Sequence, residues 1–468
     1  MTTVRSSAAV LTATAVLCVT LAPAAVAGGD VPAGPPSAAP SANSPSHGTG
    51  ASSANSPSLG APAPTPSPAP PASVVIPPGL YGTTDPTYDG VWRQSLAMLG
   101  QFAAGVRPAD RAVTWLKGQQ CANGAFPSYR ADPGTPCDAG TTLDSQATAA
   151  AVQALSTIGH QRPAMRKALN WLTSTQNTDG GWSRSPGAPS DAQSTSLVIG
   201  ALTAAGVRPS SVKSSAHQSP YDALAGFSIP CDVTAGGGVR TAGGGAFAYQ
   251  PDAKGKLTAN AEATTAGVLA GIGKRMVVSP VRPGPAPACQ KSLSPAPERA
   301  ARNGAAYLAA ALAETGHLDR TPAPGTAPDA PQPDPGSTAD AVTALSAAGY
   351  GREASGALEW LKRNSAAWAQ QNGPAAYARL ILACHATDTD PRNFGGIDLV
   401  QRLNATGPTP KAKASKTSTE LTATTASASS DGGGGMGGIW WIVALALAAG
   451  IGLGGRSLLN GVRKAPQL

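Results

Sequence analysis

Charge, aromatic side chains and reactive motifs are all in short supply in this 468-residue chain. Charged residues make up 13% of it and aromatics 4%, so any core must be built mainly from aliphatic and small side chains. Neither Cys-x-x-Cys nor His-x3-His occurs, which removes two common zinc-ligand spacings, and no metal site is expected. His47, His160, His217, His317 and His385 all stand apart from any Gly-x-Ser-x-Gly elbow, which argues against a nucleophilic hydrolase. The formal net charge is +8, but half of the excess sits at one end, where Lys411, Lys413, Lys416, Arg456, Arg463 and Lys464 face only Glu420 and Asp431. With no basic cluster elsewhere, nucleic acid is not an expected partner.

Long apolar runs occur only at the two ends. Arg5 precedes an apolar run from Ala8 to Leu21, and Ala25-Val26-Ala27 has the small-x-small pattern of a cleavage site, so residues 1–27 read as a signal peptide. Cys18 follows Leu17, which is too large for a lipoprotein site. Residues 439–459 read as one transmembrane helix: Ile439 to Gly455 is uncharged, and including Leu459 brings the length close to a hydrocarbon core of about 30 Å. Trp440 and Trp441 suit the outer interface, and Arg463 and Lys464 the cytoplasmic side, which makes residues 460–468 a cytoplasmic tail. The expected topology displays the body on the extracellular face of the cell membrane. Residues 28–78, rich in Pro, Ser and Ala, and residues 405–438 read as disordered linkers, because neither can bury enough apolar surface to offset its ordering entropy.

Five cysteines follow the cleavage site, and export implies disulfides. Cys121 and Cys137 share one predicted loop and are expected to pair. Cys231 with Cys289 is one candidate for a second bond, and Cys384 could replace either.

An internal repeat carries the fold assignment. Residues 111–126 read base, Ala, two residues, Trp115-Leu, then Gln120, Gly124 and Phe126. Residues 167–182 repeat that register with Trp171, Gln176, Gly180 and Trp182. A second block follows each: Asp144-Ser-Gln146-Ala-Thr, then Asp191-Ala-Gln193-Ser-Thr. Asn260-Ala-Glu262-Ala-Thr is a third copy, and Asp334 with Thr338 keeps the spacing in a fourth. Each unit reads as two helices, the first ended by the Gly-x-aromatic turn, the second rich in Ala, Thr and Ser and ended by Gly and Pro. The spacing predicts inner helices over 88–105, 142–159, 191–206, 258–273, 336–349 and 373–387. Outer helices are predicted over 108–120, 162–176, 219–227, 297–314, 352–366 and 393–403. Six pairs close a ring, so the expected fold is an all-α (α/α)6 toroid of about twelve helices over residues 79–404.

The Trp-Leu-x3-Gln-x3-Gly-x-aromatic pattern resembles the QW repeat of the prenyltransferase and squalene/terpene cyclase superfamily. Within it the chain looks most like the exported actinobacterial branch related to transcobalamin and intrinsic factor, a placement supported by the stretch from Asp390 to Val400. What that resemblance implies for chemistry is limited by missing motifs. Class II cyclases use Asp-x-Asp-Asp, and this chain has no Asp-Asp; Asp388-Thr-Asp390 falls in a predicted turn before Pro391. The Asp-x-Cys signature of zinc-dependent prenyltransferases and the Cys-Gly-Glu-Gln of thioester proteins are absent as well.

The expected function is therefore a membrane-anchored extracellular ligand-binding protein rather than an enzyme, with no cofactor. The branch resemblance implies a cobalamin-like or other bulky ligand, held together with a transporter-associated or second ligand-clamping protein. Alternatives are an α/α-toroid enzyme, either polysaccharide lyase-like or a degenerate cyclase or prenyltransferase, and a protein–protein adaptor. The candidate ligand residues are Asp144, Gln146, Asp191, Gln193, Asn260 and Glu262, which recur at inner-helix starts on one rim. The first of each set also suits helix capping, and Ser190-Asp-Ala-Gln193 fits a capping box. Trp115, Trp171 and Trp182 are expected in the core.

Overall fold

Short polar side chains start the inner helices, and the same hydrogen-bond device appears four times. It is seen in a computed structural model that describes residues 75–231, 243–291, 296–320 and 330–411. The predicted signal peptide, the predicted span 439–459, the tail 460–468 and nearly all of both predicted linkers lie outside the described residues. Among the described residues no helix is long and apolar enough to cross a membrane, and no strand forms beyond isolated bridges.

The described chain forms twelve α-helices. The inner set is α1 (Gly90–Ala103), α3 (Ser145–Ser156), α5 (Ala192–Ala204), α7 (Ala261–Gly271), α9 (Pro335–Ala347) and α11 (Ala366–Ala386). The outer set is α2 (Asp110–Gly118), α4 (Arg162–Ser174), α6 (Pro220–Gly226), α8 (Pro297–Thr315), α10 (Ser355–Asn364) and α12 (Leu399–Ala405). Each inner helix packs against the next, and α11 returns to α1, so the inner helices close a ring. Each outer helix packs on the inner helix of its own pair. The polypeptide is an α/α toroid.

Small residues make this ring possible. Ala149, Ala150, Ala151 and Ala154 of α3 and Ala339, Ala341 and Ala344 of α9 are fully buried, and side chains of that size let inner helices approach one another closely without voids. The larger aromatics sit between layers. Trp182, Phe126 and Phe247 are at most 1% exposed, and Trp115 and Trp171 are buried too, so the repeat tryptophans are core residues. Trp182 donates its indole N–H to the Leu172 carbonyl at 2.7 Å, which satisfies the one polar atom the ring carries inward.

The four inner-helix starts are built alike. Asp144, Asp191, Asn260 and Asp334 are N-caps, accepting from the backbone N–H groups of Ala147, Ser194, Ala263 and Ser337 at 2.9, 2.6, 2.8 and 3.0 Å. Four residues after each cap stands a threonine. Thr148, Thr195, Thr264 and Thr338 accept at Oγ1 from the N–H of Phe126, Trp182, Phe247 and Leu318, at 2.9 to 3.1 Å. The hydroxyls of Thr148, Thr264 and Thr338 in turn donate to the carbonyls of Asp144, Asn260 and Asp334. One hydroxyl thus joins the aromatic turn to the helix it precedes.

Several expectations are corrected in detail. The Gly-x-aromatic turn does not end the outer helices: α2 stops at Gly118 and α4 at Ser174, both before the repeat glutamine. The glutamine braces the turn instead, with Gln120 Nε2 donating to the Gly124 carbonyl at 2.9 Å and Gln176 Nε2 to that of Gly180 at 2.8 Å. Gly124 and Gly180 have φ of +100° and +90°, and a Cβ there would stand 2.2 Å from the Lys167 carbonyl oxygen and 2.3 Å from that of Ser219. Glycine is needed both for the left-handed backbone and for the close approach to the next outer helix. The capping box forms at Ser219 and Asp222 of α6, not at Ser190, whose hydroxyl donates to Asp179. Helix α11 is two helices broken at Gly373, where φ is +64°; the part from Pro374 onward is the inner helix expected over 373–387, and the part before it is an added helical segment. Contacts of the helical body also run past residue 404, since Lys411 N donates to the Arg107 carbonyl and Lys411 Nζ pairs with Asp110 at 2.7 Å.

Two disulfides are present among the described residues, Cys121–Cys137 and Cys231–Cys289, and Cys384 is a buried free thiol.

Candidate functional site

A cavity opens on the axis of the ring, with a volume of about 80 Å³. Five of the six inner helices reach it. Trp92 and Leu96 come from α1, Gln193 and Leu197 from α5, Glu262, Thr265 and Leu269 from α7, Asp340 and Thr343 from α9, and Arg379 and Leu382 from α11. The segment after α7 adds Met276, and it is pinned across the ring by Met276 N donating to Gln153 Oε1 of α3 at 2.9 Å.

One side of this cavity is charged and the rest is mostly apolar, with Gln193, Thr265 and Thr343 as its neutral polar groups. Asp340 Oδ2 lies 3.6 Å from Arg379 Nε, and both side chains are partly buried. Burial pushes the Asp340 carboxyl up to about 6, and Glu262 and Asp334 push it the same way while Arg379 opposes them. The Arg379 guanidinium is raised, chiefly by the Asp340 charge. A carboxyl and a guanidinium held so near one another on apolar walls present both a hydrogen-bond acceptor and donors to anything that enters.

Of the rim residues expected to hold a ligand, Gln193 and Glu262 reach this cavity. Gln146 instead donates to Ser194 Oγ at 2.9 Å, linking α3 to α5. Asp144, Asp191 and Asn260 use one oxygen each in capping. Asp144 spends its other oxygen on Arg184 Nε at 2.9 Å and on the Ser128 hydroxyl at 3.0 Å, while Asp191 is 1% exposed and accepts from the Ser194 hydroxyl at 2.7 Å. Burial raises the Asp191 carboxyl, and burial together with the charge of Asp191 raises the nearby Tyr249 hydroxyl to about 12.

Trp92, Asp340 and Arg379 were not singled out by the repeat. A signal for two of them exists in the sequence: Asp340 is the lone acid within Thr338-Ala-Asp-Ala-Val342, and Arg379 is the lone charge between Pro374 and Cys384. A single charge on an otherwise apolar inner helix must face either a partner or a cavity. Among the described residues no cluster of His, Cys, Asp or Glu is arranged to hold a metal ion.

Residues 84–207, which hold both strong repeat units, match the family model described as the squalene-hopene cyclase C-terminal domain. The chain is also similar to a solved structure, the crystal structure of a protein from Actinoplanes, at 20% identity, covering 67% of this chain and 79% of that one with a TM-score of 0.39. No curated protein matches the chain.

Proposed function

We propose that this α/α toroid of the prenyltransferase/squalene cyclase superfamily is a binding protein that holds a compact amphipathic ligand in its central cavity. One observation carries the reading: Glu262, Asp340 and Arg379 converge from three helices on an axial cavity whose other walls are mostly apolar, with Trp92, leucines and Met276 beside Gln193, Thr265 and Thr343. Charges are costly to hold at a partly buried site unless they are paired or used, and here the pairing is incomplete. At about 80 Å³ the cavity takes roughly six water-sized groups. A corrinoid is far bulkier, so a cobalamin-like ligand enters this reading only at the cavity mouth, with a partner chain supplying the rest of the clamp.

The signal-like N-terminus and the apolar run at 439–459 support display on the extracellular face, anchored by a single span.

Native mass spectrometry of the full chain, incubated with small-molecule extract, tests the cavity. We expect a retained compound that is lost in Ala266→Phe, a substitution at an alanine of α7 that also lines the cavity, with the melting temperature held. Equal retention by parent and variant overturns the reading. Calorimetry with cobalamin and cobinamide, with and without membrane partners, tests the mouth, and the absence of heat in both settings removes the corrinoid. Protease shaving of intact cells tests display.

A further inference from the structure

We infer, resting on the cavity reading above, that the ligand of the central cavity is a cation: a compact ammonium ion with an apolar body. The cavity holds two carboxylates, Glu262 and Asp340, against one guanidinium, Arg379. That guanidinium is shared among the acids, with its Nε 3.6 Å from Asp340 Oδ2 and its charge stabilised further by Glu262 and Asp334. Glu262 is half-buried at the start of α7; its backbone carbonyl accepts from the Thr265 hydroxyl at 2.7 Å, and its carboxylate charge is felt by Arg379 through space. Asp334, the N-cap of α9, adds a further negative charge that Asp340 senses. An incoming carboxylate or phosphate would bring a third negative charge to a cavity that already holds two carboxylates against one guanidinium. An ammonium group meets Glu262 directly and leaves the existing pair intact.

The walls fit the same ligand. Trp92 offers an indole to a cation, which indoles attract through the ring quadrupole. Met276, carried in from outside the helical ring, supplies a soft thioether. Leu96, Leu197 and Leu382 bound the remainder and suit a short hydrocarbon or ring. The groups that set the charge at the site are Glu262 on α7, Asp334 and Asp340 on α9 and Arg379 on α11. Of these, Asp340 titrates near 6, so cation affinity should rise about tenfold from roughly pH 5 to pH 7.5 as that carboxyl ionises.

Three probes of one size and different charge decide the matter: phenethylammonium, 2-phenylethanol and phenylacetate, titrated by calorimetry into the full chain in lipid nanodiscs. We expect the cation to bind at least about tenfold more tightly than the anion, with the alcohol between. Glu262→Gln should weaken the cation by about fivefold or more, leave the alcohol unchanged and leave the melting temperature in place. Phenylacetate binding as tightly as phenethylammonium, or a Glu262→Gln chain that binds the cation like the parent, overturns the charge assignment while the cavity reading stands. Binding of none of the three, together with no compound retained in the Ala266→Phe comparison, overturns both.

Discussion

Asp340 Oδ2 and Arg379 Nε face one another at 3.6 Å, so the carboxylate of α9 and the guanidinium of α11 meet on the wall of the axial cavity. The pair is not tight enough to cancel the cost of burying the carboxylate, because the Asp340 pKa is raised from 3.8 to about 6 despite the arginine. An acid whose folded pKa is raised contributes stability that is complete below its unfolded value and lost as pH rises through the folded one. Stability linked to Asp340 should therefore fall between pH 3.8 and about 6. Asp340→Asn cannot lose it, so urea midpoints should move in favour of the variant across that window. Parallel profiles for parent and variant would mean that Asp340 is not perturbed.

Thr148 takes the N–H of Phe126 and returns its own proton to the Asp144 carbonyl. Thr148→Val keeps the shape and removes both bonds, leaving a buried N–H unpaired at a cost of about 1–3 kcal/mol. The equivalent change at Thr264 should cost a similar amount, because the same bonds recur there. Chemical denaturation of each variant measures this, and a loss below the measurement error at both sites would remove the hydroxyl bridge as a stabilising device.

Gly124 and Gly180 face a carbonyl oxygen at distances no Cβ tolerates. Alanine at either should destabilise the chain by about 2–3 kcal/mol, combining backbone strain with overpacking. Gly187, with φ of +87° and nothing near its missing Cβ, serves as the comparison and should lose only about 1–2 kcal/mol from the left-handed backbone. Equal losses at all three would show that crowding against the next outer helix contributes nothing.

Trp182 is 1% exposed and Trp171 6% exposed. Truncation of either to Ala should cost about 3–5 kcal/mol. Trp182→Phe keeps most of the apolar contact but loses the bond to Leu172, so it should fall between the parent and the Ala variant, at about 1–2 kcal/mol from hydrogen-bond and packing losses. Melting of either Ala variant at the parent temperature would contradict the packing described.

Closing the loop between Cys121 and Cys137, a separation of 16 residues, should contribute about 3 kcal/mol through the unfolded state. Replacing both cysteines with serine should lower the denaturation midpoint accordingly, while reduction of the parent should reproduce the shift once allowance is made for the Cys231–Cys289 bond. A variant that keeps the parent midpoint would show that the loop is already closed by its other contacts, such as those Arg130 makes with Gly118 and Pro133.

Local chemistry made most of the scaffold legible from residues alone. Caps, turn glycines and buried tryptophans act within a few residues of themselves or recur at a fixed period, so Asp144, Gly124 and Trp171 announce helices, turns and their pairing before any coordinates. The rim positions Gln193 and Glu262 were legible for the same reason, as members of a repeated block. The charged wall was not. Asp340 and Arg379 lie 39 positions apart on helices where the repeat has faded, and although the expected ring makes α9 and α11 neighbours, nothing local in the sequence turns those two side chains to the same space. Ring closure decides that, because only when α11 returns to α1 does the inner face of each helix acquire a common axis. Periodicity can state that a residue is inside; which other residues it meets there depends on contacts between distant segments, and those exist only in the folded chain.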